Sequence, residues 1–258
     1  MDKFGNTACL LSLALLPAVA EAHRPYFADG EHVTQESAFW VEEPEVSMVL
    51  YGEMTCEKDQ LWLSFEGTAG FPLYLQLGVP EVEWLSGYRP SMALLHPELP
   101  SVDEELPFEV PEGLGVLIWH SSAQDEASEF YEPYTQTRSW IWQEETVELL
   151  GDGRGFVVAW NPEGSTGKLW LAMGTIEDFS GVEWSEFYTW YDQVNEFHET
   201  SGPSGEQEFC EPVAMDEGTD SGSVGGCSVV QSPTQRVSGL LGFVLAGLFW
   251  GRRRRGRG

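Results

Sequence analysis

The residue with the clearest capacity for chemistry in this 258-residue sequence is His23. If the chain is cut after Ala22, the free α-amine and the imidazole of His23 can chelate one metal ion together. A second imidazole would complete a nitrogen-rich copper site, supplied by His120 or by one of the other histidines, His32, His96 and His198. The alternative is an ordinary histidine at a processed terminus.

Calcium is the second candidate metal. Acidic runs such as Asp103-Glu104-Glu105 and Asp125-Glu126 offer oxygen ligands, but no loop has the regular Asp, Asn and Gly spacing of a dedicated calcium site. The alternative is that acidic side chains keep an exposed protein soluble in salty surroundings. With 42 acidic and 13 basic residues the formal net charge is −29. This charge excludes nucleic acid as a partner, because few basic side chains remain to meet phosphates.

Aromatic side chains suggest a third kind of site. Arg138, Trp140 and Trp142 share one face of a predicted strand, and Trp119 precedes His120 in another apolar run. Flat rings flanked by polar groups on an exposed sheet suit a glycan or a segment of an envelope protein. The alternative is that these tryptophans belong to the core.

Catalytic motifs are incomplete in this sequence. The run from Gly164 to Lys168 imitates a phosphate-binding loop, but Pro162 replaces its first glycine and Leu169 replaces the required Ser or Thr. His198-Glu199 begins a zinc-protease pattern with no second histidine after it. We therefore predict that the protein is not an enzyme.

The N-terminal 22 residues have the layout of a secretory signal peptide. Lys3 precedes an apolar run, and the small residues Ala18, Ala20 and Ala22 mark a cleavage site that would leave His23 first. The sequence therefore predicts an exported protein.

The C-terminal segment combines three features of a surface anchor. Cys227 lies in a Gly/Ser context, residues 237–251 form an uncharged apolar stretch, and Arg252 to Arg255 follow at once. This order resembles the MYXO-CTERM class of bacterial surface-sorting tails, over about residues 225–258. The resemblance implies that Cys227 is the processing and lipid-attachment residue and that the protein ends at the cell surface or outer membrane. The alternative is a plain transmembrane anchor with an incidental cysteine.

Two cysteines remain once Cys9 and Cys227 are assigned to the ends. Cys56 and Cys210 are a candidate disulfide in an oxidising compartment, and the alternative is two unpaired thiols. Residues 201–227 are rich in Gly, Ser and acidic side chains with no basic residue, and we predict an extended acidic stalk there. The folded domain is then residues 23–200, followed by the sorting tail at 228–258.

Hydrophobic residues alternate with period two through most of this domain. Predicted strands include 46–51, 61–66, 73–77, 92–96, 114–121, 139–142, 146–150, 156–160 and 168–173, separated by Gly, Pro and Asn turns. Trp184, Phe187, Tyr188 and Tyr191 recur at helical spacing, with Ser180 and Glu183 as the candidate capping box, so we expect one helix that packs its aromatic face on the sheets. The pattern predicts an all-β protein, an antiparallel β-sandwich or jelly roll with one C-terminal amphipathic helix and a short transmembrane helix at 237–251.

These strands resemble the pre-peptidase C-terminal class of secreted β-sandwich modules over roughly residues 60–174. The matching segments are Leu61-Trp62-Leu63-Ser64-Phe65, Leu73-Tyr74-Leu75-Gln76-Leu77, Gly155-Phe156-Val157-Val158-Ala159 and Gly167-Lys168-Leu169-Trp170-Leu171. The chain departs from the class in long acidic insertions around 100–111 and 124–133. Because that class is mostly non-catalytic and appended to secreted proteins, the resemblance implies a non-catalytic secreted module.

The sequence as a whole predicts a secreted, surface-anchored, non-catalytic protein that binds a ligand or contacts the cell envelope. The alternatives are a copper-binding redox protein built on His23 and a purely structural envelope protein.

Overall fold

The computed structural model of the protein describes residues 23–199 and 209–210. They form eleven strands and one α-helix, with short 3-10 turns at Glu83–Leu85 and Ser121–Ala123. The strands are β1 (Arg24–Phe27), β2 (Phe39–Val41), β3 (Met48–Met54), β4 (Gln60–Gly67), β5 (Pro72–Pro80), β6 (Ser91–His96), β7 (Gly115–His120), β8 (Ser128–Glu132), β9 (Thr137–Glu148), β10 (Gly153–Trp160) and β11 (Gly167–Met173), and the helix is α1 (Trp184–Phe197).

The strands form two sheets. The six-stranded sheet has the order β1-β3-β11-β5-β9-β8, and the five-stranded sheet has the order β2-β4-β10-β6-β7. Every pairing is antiparallel except at one edge of each sheet, where β1 runs parallel to β3 and β2 runs parallel to β4. The prediction of a wholly antiparallel sandwich is therefore wrong at these edges. Both edge strands are too short to show the alternation from which a strand is predicted.

The main core lies between the two sheets, as expected for a β-sandwich. Alternate residues of strands from both sheets are fully buried there, among them Leu50, Leu63, Leu75, Val157 and Leu171. The predicted alternation is confirmed in β4, β5, β10 and β11. The other face of several strands is buried as well, because Trp62 on β4 and Trp170 on β11 are almost inaccessible.

One predicted break in the chain is absent. The separate strands at 139–142 and 146–150 are a single strand, β9, that pairs with β5 along its length. The pairing register shifts between Leu77 and Gly78, which is typical of a β-bulge. The bulge interrupts the alternation, and for that reason the sequence shows two short segments instead of one.

An acidic loop covers the outer face of the five-stranded sheet. Val102, Leu106 and Phe108 from this loop pack on a second apolar cluster that contains Trp62 and Trp160. The Phe108 ring lies edge-on to both tryptophan rings, at centroid distances of 5.2 and 5.3 Å. The insertion at 100–111 is therefore a cover for the sheet rather than an added strand.

The helix α1 covers part of the outer face of the six-stranded sheet. It begins with a capping box formed by Glu183 and Glu186, not by the predicted Ser180 and Glu183. Ser180 instead donates its backbone N–H to Asp178, which moves the start of the helix three residues along the chain.

Several predictions concern parts of the chain outside residues 23–199 and 209–210. They are the signal peptide at 1–22, most of the stalk at 201–227, and the sorting tail at 228–258 with its apolar helix at 237–251. Within the residues that are described, none of the helices has the length and hydrophobicity needed to cross a membrane.

Candidate ligand pocket

A cavity of about 430 Å³ lies between the outer face of the six-stranded sheet and α1. We call it the α1 pocket. Its volume falls in the range of small-molecule sites. Eight aromatic side chains line it: Tyr51, Phe130, Tyr134, Trp170, Trp184, Phe187, Tyr188 and Trp190. Its polar lining comes from His23, Glu132, Thr135, Thr137, Ser139 and His198.

The floor of the α1 pocket depends on a glycine. Gly78 on β5 pairs with Trp170 on β11, and a Cβ atom at Gly78 would lie 2.1 Å from Cζ2 of Trp170. The missing side chain lets the indole lie across β5, where its Nε1–H donates to Ser139 Oγ on β9 at 3.2 Å. One buried ring therefore links three strands and forms a flat apolar surface beneath the helix.

His198 ends α1 and contacts this floor. Its Nδ1 lies 2.8 Å from the carbonyl oxygen of Val194, so this nitrogen carries the proton. Nε2 is then the acceptor for the hydroxyl of Ser139, at 3.1 Å. Burial lowers the pKa of His198 from 6.5 to about 4, and the Lys168 ammonium lowers it further while the Val194 carbonyl opposes the shift. The imidazole is therefore neutral at physiological pH.

The Ser139–His198 pair has the spacing of a nucleophile and a general base, but its chemistry is unfavourable. A base acts best when its pKa lies near the operating pH, and a pKa of about 4 is far below that. The second nitrogen of His198 is oriented by a backbone carbonyl rather than by a carboxylate, so no negative charge stabilises an imidazolium. The pair is better suited to hold the end of α1 against the sheet.

His23, the residue just before β1, also lines the α1 pocket. Its Nδ1 is hydrogen-bonded to Ser47 Oγ. Its Nε2 is buried and has no hydrogen-bond partner within the described part of the chain. Burial lowers the pKa of His23 to about 4, against the opposing field of Glu177. The imidazole of His23 is therefore neutral at physiological pH and keeps one nitrogen without a hydrogen bond to the described residues.

Glu132 supplies the carboxyl group of the α1 pocket. One of its oxygens accepts the backbone N–H of Tyr134 at 2.9 Å. Burial raises the pKa of Glu132, and the negative charge of Glu177 raises it further, while the Tyr134 N–H acts in the opposite direction. Tyr134 in turn donates its hydroxyl to the carbonyl oxygen of Phe187, at 2.6 Å. The carboxyl is therefore tied to the same turn that contacts the helix.

The mouth of the α1 pocket is formed by aromatic rings of the helix that remain exposed. Trp184 is 80% exposed and Tyr188 is 72% exposed. The expectation that α1 packs its aromatic face on the sheets is therefore wrong for its first two turns; Val194 is its one fully buried residue. The rings contact each other instead, with Phe187 tilted against both Trp184 and Trp190 at centroid distances of 5.7 and 5.3 Å.

The aromatic residues predicted from the sequence lie elsewhere. Trp142 is 3% exposed and belongs to the core, while Trp119 and Trp140 are partly buried and pack against that core. Arg138 is exposed, with its guanidinium over the ring of Tyr131. Trp140 and Trp142 also line a small polar recess of about 270 Å³, together with Ser86, Arg89, Asp125, Glu126, Ala127 and Glu129. We call it the Arg89 recess, because the Arg89 guanidinium lies 3.9 Å from the Trp142 ring centroid.

The histidines proposed as copper ligands are dispersed. His120 contacts Glu104 at 2.9 Å and Ser91 at 3.0 Å on the five-stranded sheet. His96 is fully buried and stacked on Phe65. His32 donates to the Ser37 carbonyl at 2.7 Å. Of the five histidines, His23 and His198 both line the α1 pocket.

No group of three or more His, Cys, Asp or Glu side chains that could hold a metal ion occurs among residues 23–199 and 209–210. Ala22 and Cys227, the predicted processing residues, lie outside those ranges. The predicted disulfide is present: Cys56 and Cys210 are bonded, with their Cα atoms 5.3 Å apart. Cys210 is held by a backbone hydrogen bond to Gly164, and Phe209 pairs with Ser165. The Cys56–Cys210 disulfide therefore fixes residues 209–210, which the sequence analysis assigned to the stalk.

Sequence reasoning missed Glu132, Ser139 and the role of His198. Ser139 and His198 are separated by 59 residues, and no short motif connects them. The one available signal was Gly78, a glycine inside a strand, which often marks a bulge or a close approach of another group.

Comparisons with known proteins identify no family for this chain. No protein-family model matches it, and no curated protein matches it. Among solved structures it is similar to the pre-peptidase C-terminal domain of collagenase from Bacillus anthracis, with 9% sequence identity and a TM-score of 0.28. The similarity covers 52% of this chain and 91% of that chain. This is the class that the strands resemble, but a TM-score this low carries no argument about fold or function.

Proposed function

We propose that this chain is an exported, surface-anchored, non-catalytic binding module whose ligand occupies the α1 pocket. The observation that carries the proposal is the α1 pocket itself, a cavity of about 430 Å³ lined by eight aromatic side chains and a few polar groups. Binding sites of this kind are concave and mostly apolar, with few polar groups to orient the ligand. Export and anchoring rest on the signal-like first 22 residues and on the Cys227 tail.

Two features of the α1 pocket favour binding over catalysis. The histidines that line it are held neutral by burial, so neither is a good proton acceptor near pH 7. The buried Nε2 of His23 offers a hydrogen bond that the protein leaves unused within the described residues. A buried polar group of this kind is costly unless a water or a ligand satisfies it.

The proposal is tested with N-phenyl-1-naphthylamine, a neutral aromatic probe that becomes fluorescent in apolar surroundings. The mature domain should bind it, and Trp184→Ala should weaken binding about fivefold, since one aromatic contact is worth roughly 1 kcal/mol. Trp40→Ala is the matched control, because Trp40 is 49% exposed and does not line the α1 pocket. No binding by the wild type, or equal binding by the Trp184 variant, would contradict the proposal.

A second candidate, a glycan or envelope-protein site, is favoured by the Arg89 recess. It combines two tryptophans with Arg89 and the acidic side chains of Asp125, Glu126 and Glu129. Mixed rings and charged groups of this kind suit a polar ligand such as a sugar. Binding on a glycan array that is lost in Trp140→Ala would support this site, and no binding would remove it.

The copper-binding and purely structural alternatives remain separate proposals. The chelate would use Nδ1 of His23, which is hydrogen-bonded to Ser47 Oγ, and His198 uses both ring nitrogens in hydrogen bonds, so copper would have to displace existing contacts. Copper titration of the mature domain against His23→Ala decides the first alternative, and equal binding by both would contradict it. A domain that binds neither the neutral probe nor glycans nor copper would favour the structural role.

A further inference from the structure

We infer that the α1 pocket selects organic cations, an alkylated ammonium group attached to an apolar body, with Glu132 as the counter-ion. This inference rests on the proposed function, because it names the ligand class of the same cavity. It is carried by the charge of the lining, by the lack of a cationic partner for Glu132, and by the arrangement of the aromatic rings.

The lining contains a negative group without a positive one. No lysine or arginine is among the described side chains that line the α1 pocket, whereas Glu132 is one of them. The two neighbouring cations are engaged elsewhere. Lys168 donates its ammonium to the Phe197 carbonyl at 3.1 Å, and Arg24 contacts Asp178.

Glu132 has no ion-pair partner among residues 23–199 and 209–210. Its contact with the Tyr134 N–H satisfies one acceptor site of one oxygen, and a carboxylate has about four such sites. Burial and the nearby charge of Glu177 both raise the pKa of Glu132, which shows that its charged form lacks compensation. A ligand cation would supply that compensation.

The aromatic rings stand at steep angles to one another, so they cannot stack into one flat surface. Among the rings that line the α1 pocket, Tyr134 is nearly perpendicular to Phe187, at 82°, and Phe187 is at 70° to Trp190. Rings at such angles point their electron-rich faces in several directions around one volume. This is the arrangement that attracts an alkylated ammonium group.

The net charge of the whole chain also favours a cationic ligand. With a formal net charge of −29, the protein surrounds the mouth with a negative potential, which concentrates cations near the surface and repels anions. The apolar lining argues against a bare metal ion, since hard cations require several oxygen ligands and the α1 pocket has one carboxyl group. The ligand class that fits both properties is an organic ammonium.

The decisive experiment uses two ligands of one shape, phenyltrimethylammonium and tert-butylbenzene, which differ in the charge of a single central atom. Each is used to displace N-phenyl-1-naphthylamine from the mature domain. We expect the cation to bind roughly tenfold more tightly. The hydrophobic effect alone predicts the opposite order, because the neutral hydrocarbon is less soluble in water.

Glu132→Gln is expected to reduce the ratio of the two affinities severalfold, measured within the variant itself, because the amide oxygen can still accept the Tyr134 N–H but carries no charge. Glu129→Gln on the same strand is the matched control, because Glu129 is exposed and does not line the α1 pocket. Glycerophosphocholine, the water-soluble headgroup of phosphatidylcholine, is a third competitor, which distinguishes a lipid headgroup from a free ammonium ligand. Displacement by either source supports the inference.

The failures of the two proposals are distinguishable. If the neutral probe does not bind, the proposed function fails and the inference fails with it. If the probe binds but tert-butylbenzene competes as well as phenyltrimethylammonium does, the inference alone is overturned. A cation preference that is undiminished in Glu132→Gln also overturns it, because the counter-ion would then be wrongly assigned.

Discussion

Lowering the pH from 7.5 to 5.0 should destabilise the folded domain through two buried histidines. Burial lowers the pKa values of His23 and His198 from 6.5 to about 4 in the folded state. As the pH falls below 6.5, the two histidines become protonated in the unfolded chain but stay neutral in the folded chain. The free energy of unfolding therefore falls. The loss is complete only below about pH 4.

The size of this effect follows from the shift itself. A shift of about 2.5 pKa units corresponds to about 3 kcal/mol for each histidine when the pH lies below both values. At pH 5.0 the same relation gives about 2 kcal/mol for each. Carboxyl groups with raised pKa values, such as Glu132 and Glu145, act in the opposite direction, so the wild type alone does not isolate the histidines.

The assay is urea unfolding, followed by tryptophan fluorescence, of the wild type and His198→Gln at both pH values. The glutamine amide does not titrate and can still accept the Ser139 hydroxyl. At pH 7.5 the variant should be the less stable protein, and by pH 5.0 the difference should have shrunk by about 2 kcal/mol. The double variant that also carries His23→Gln should lose the histidine contribution entirely. Parallel pH profiles for wild type and variants would refute the reasoning.

Gly78→Ala should destabilise the domain by about 1–3 kcal/mol, because the new Cβ would overlap the buried ring of Trp170 and break its hydrogen bond to Ser139; unchanged stability in urea would contradict this packing. Cys56→Ala/Cys210→Ala should lose about 2–5 kcal/mol, because the bond closes a loop of 154 residues. A reductant should cause the same loss in the wild type and none in the double variant, and a response of the variant would show that the loss has another cause.

The sandwich could be predicted from the sequence where strands are long and half of each strand faces the main core. In β4 and β11 the alternation of Leu61, Leu63 and Phe65, and of Leu169 and Leu171, is strict because one face must be apolar. The short edge strands β1 and β2 have three or four residues, too few to establish a period. Their parallel pairing depends on contacts with distant strands, which no local pattern encodes.

The α1 pocket could not be predicted, because its parts come together only through the fold. The aromatic residues of α1 were visible from their helical spacing, and a helix with an apolar face is expected to bury it. Whether it does so depends on the surface beneath, where Trp170 already fills the space over Gly78. The hydrogen bonds of Ser139 and His198 depend on that arrangement, and no sequence motif predicts them.

The two sheets are covered in different ways: an acidic loop lies over the five-stranded sheet, whereas a cavity separates α1 from the six-stranded sheet. The loop packs Phe108 edge-on against both Trp62 and Trp160. The helix is held mainly at its last turn, where Val194 is buried and Lys168 binds the Phe197 carbonyl.

The first two turns of α1 expose large aromatic rings to solvent. Trp184 and Tyr188, the two most exposed large apolar side chains in the described part of the chain, form an apolar patch on a protein with a formal net charge of −29. Such a patch costs solubility and adds no packing energy to the free protein, and exposed apolar groups that surround a cavity mark binding sites. If α1 served only to cover the sheet, smaller or polar residues at these two positions would do so at least as well. Trp184→Ser should therefore leave the free energy of unfolding unchanged within about 0.5 kcal/mol while it weakens binding of the neutral probe. A stability loss of several kcal/mol with binding unchanged would instead make these rings part of the packing.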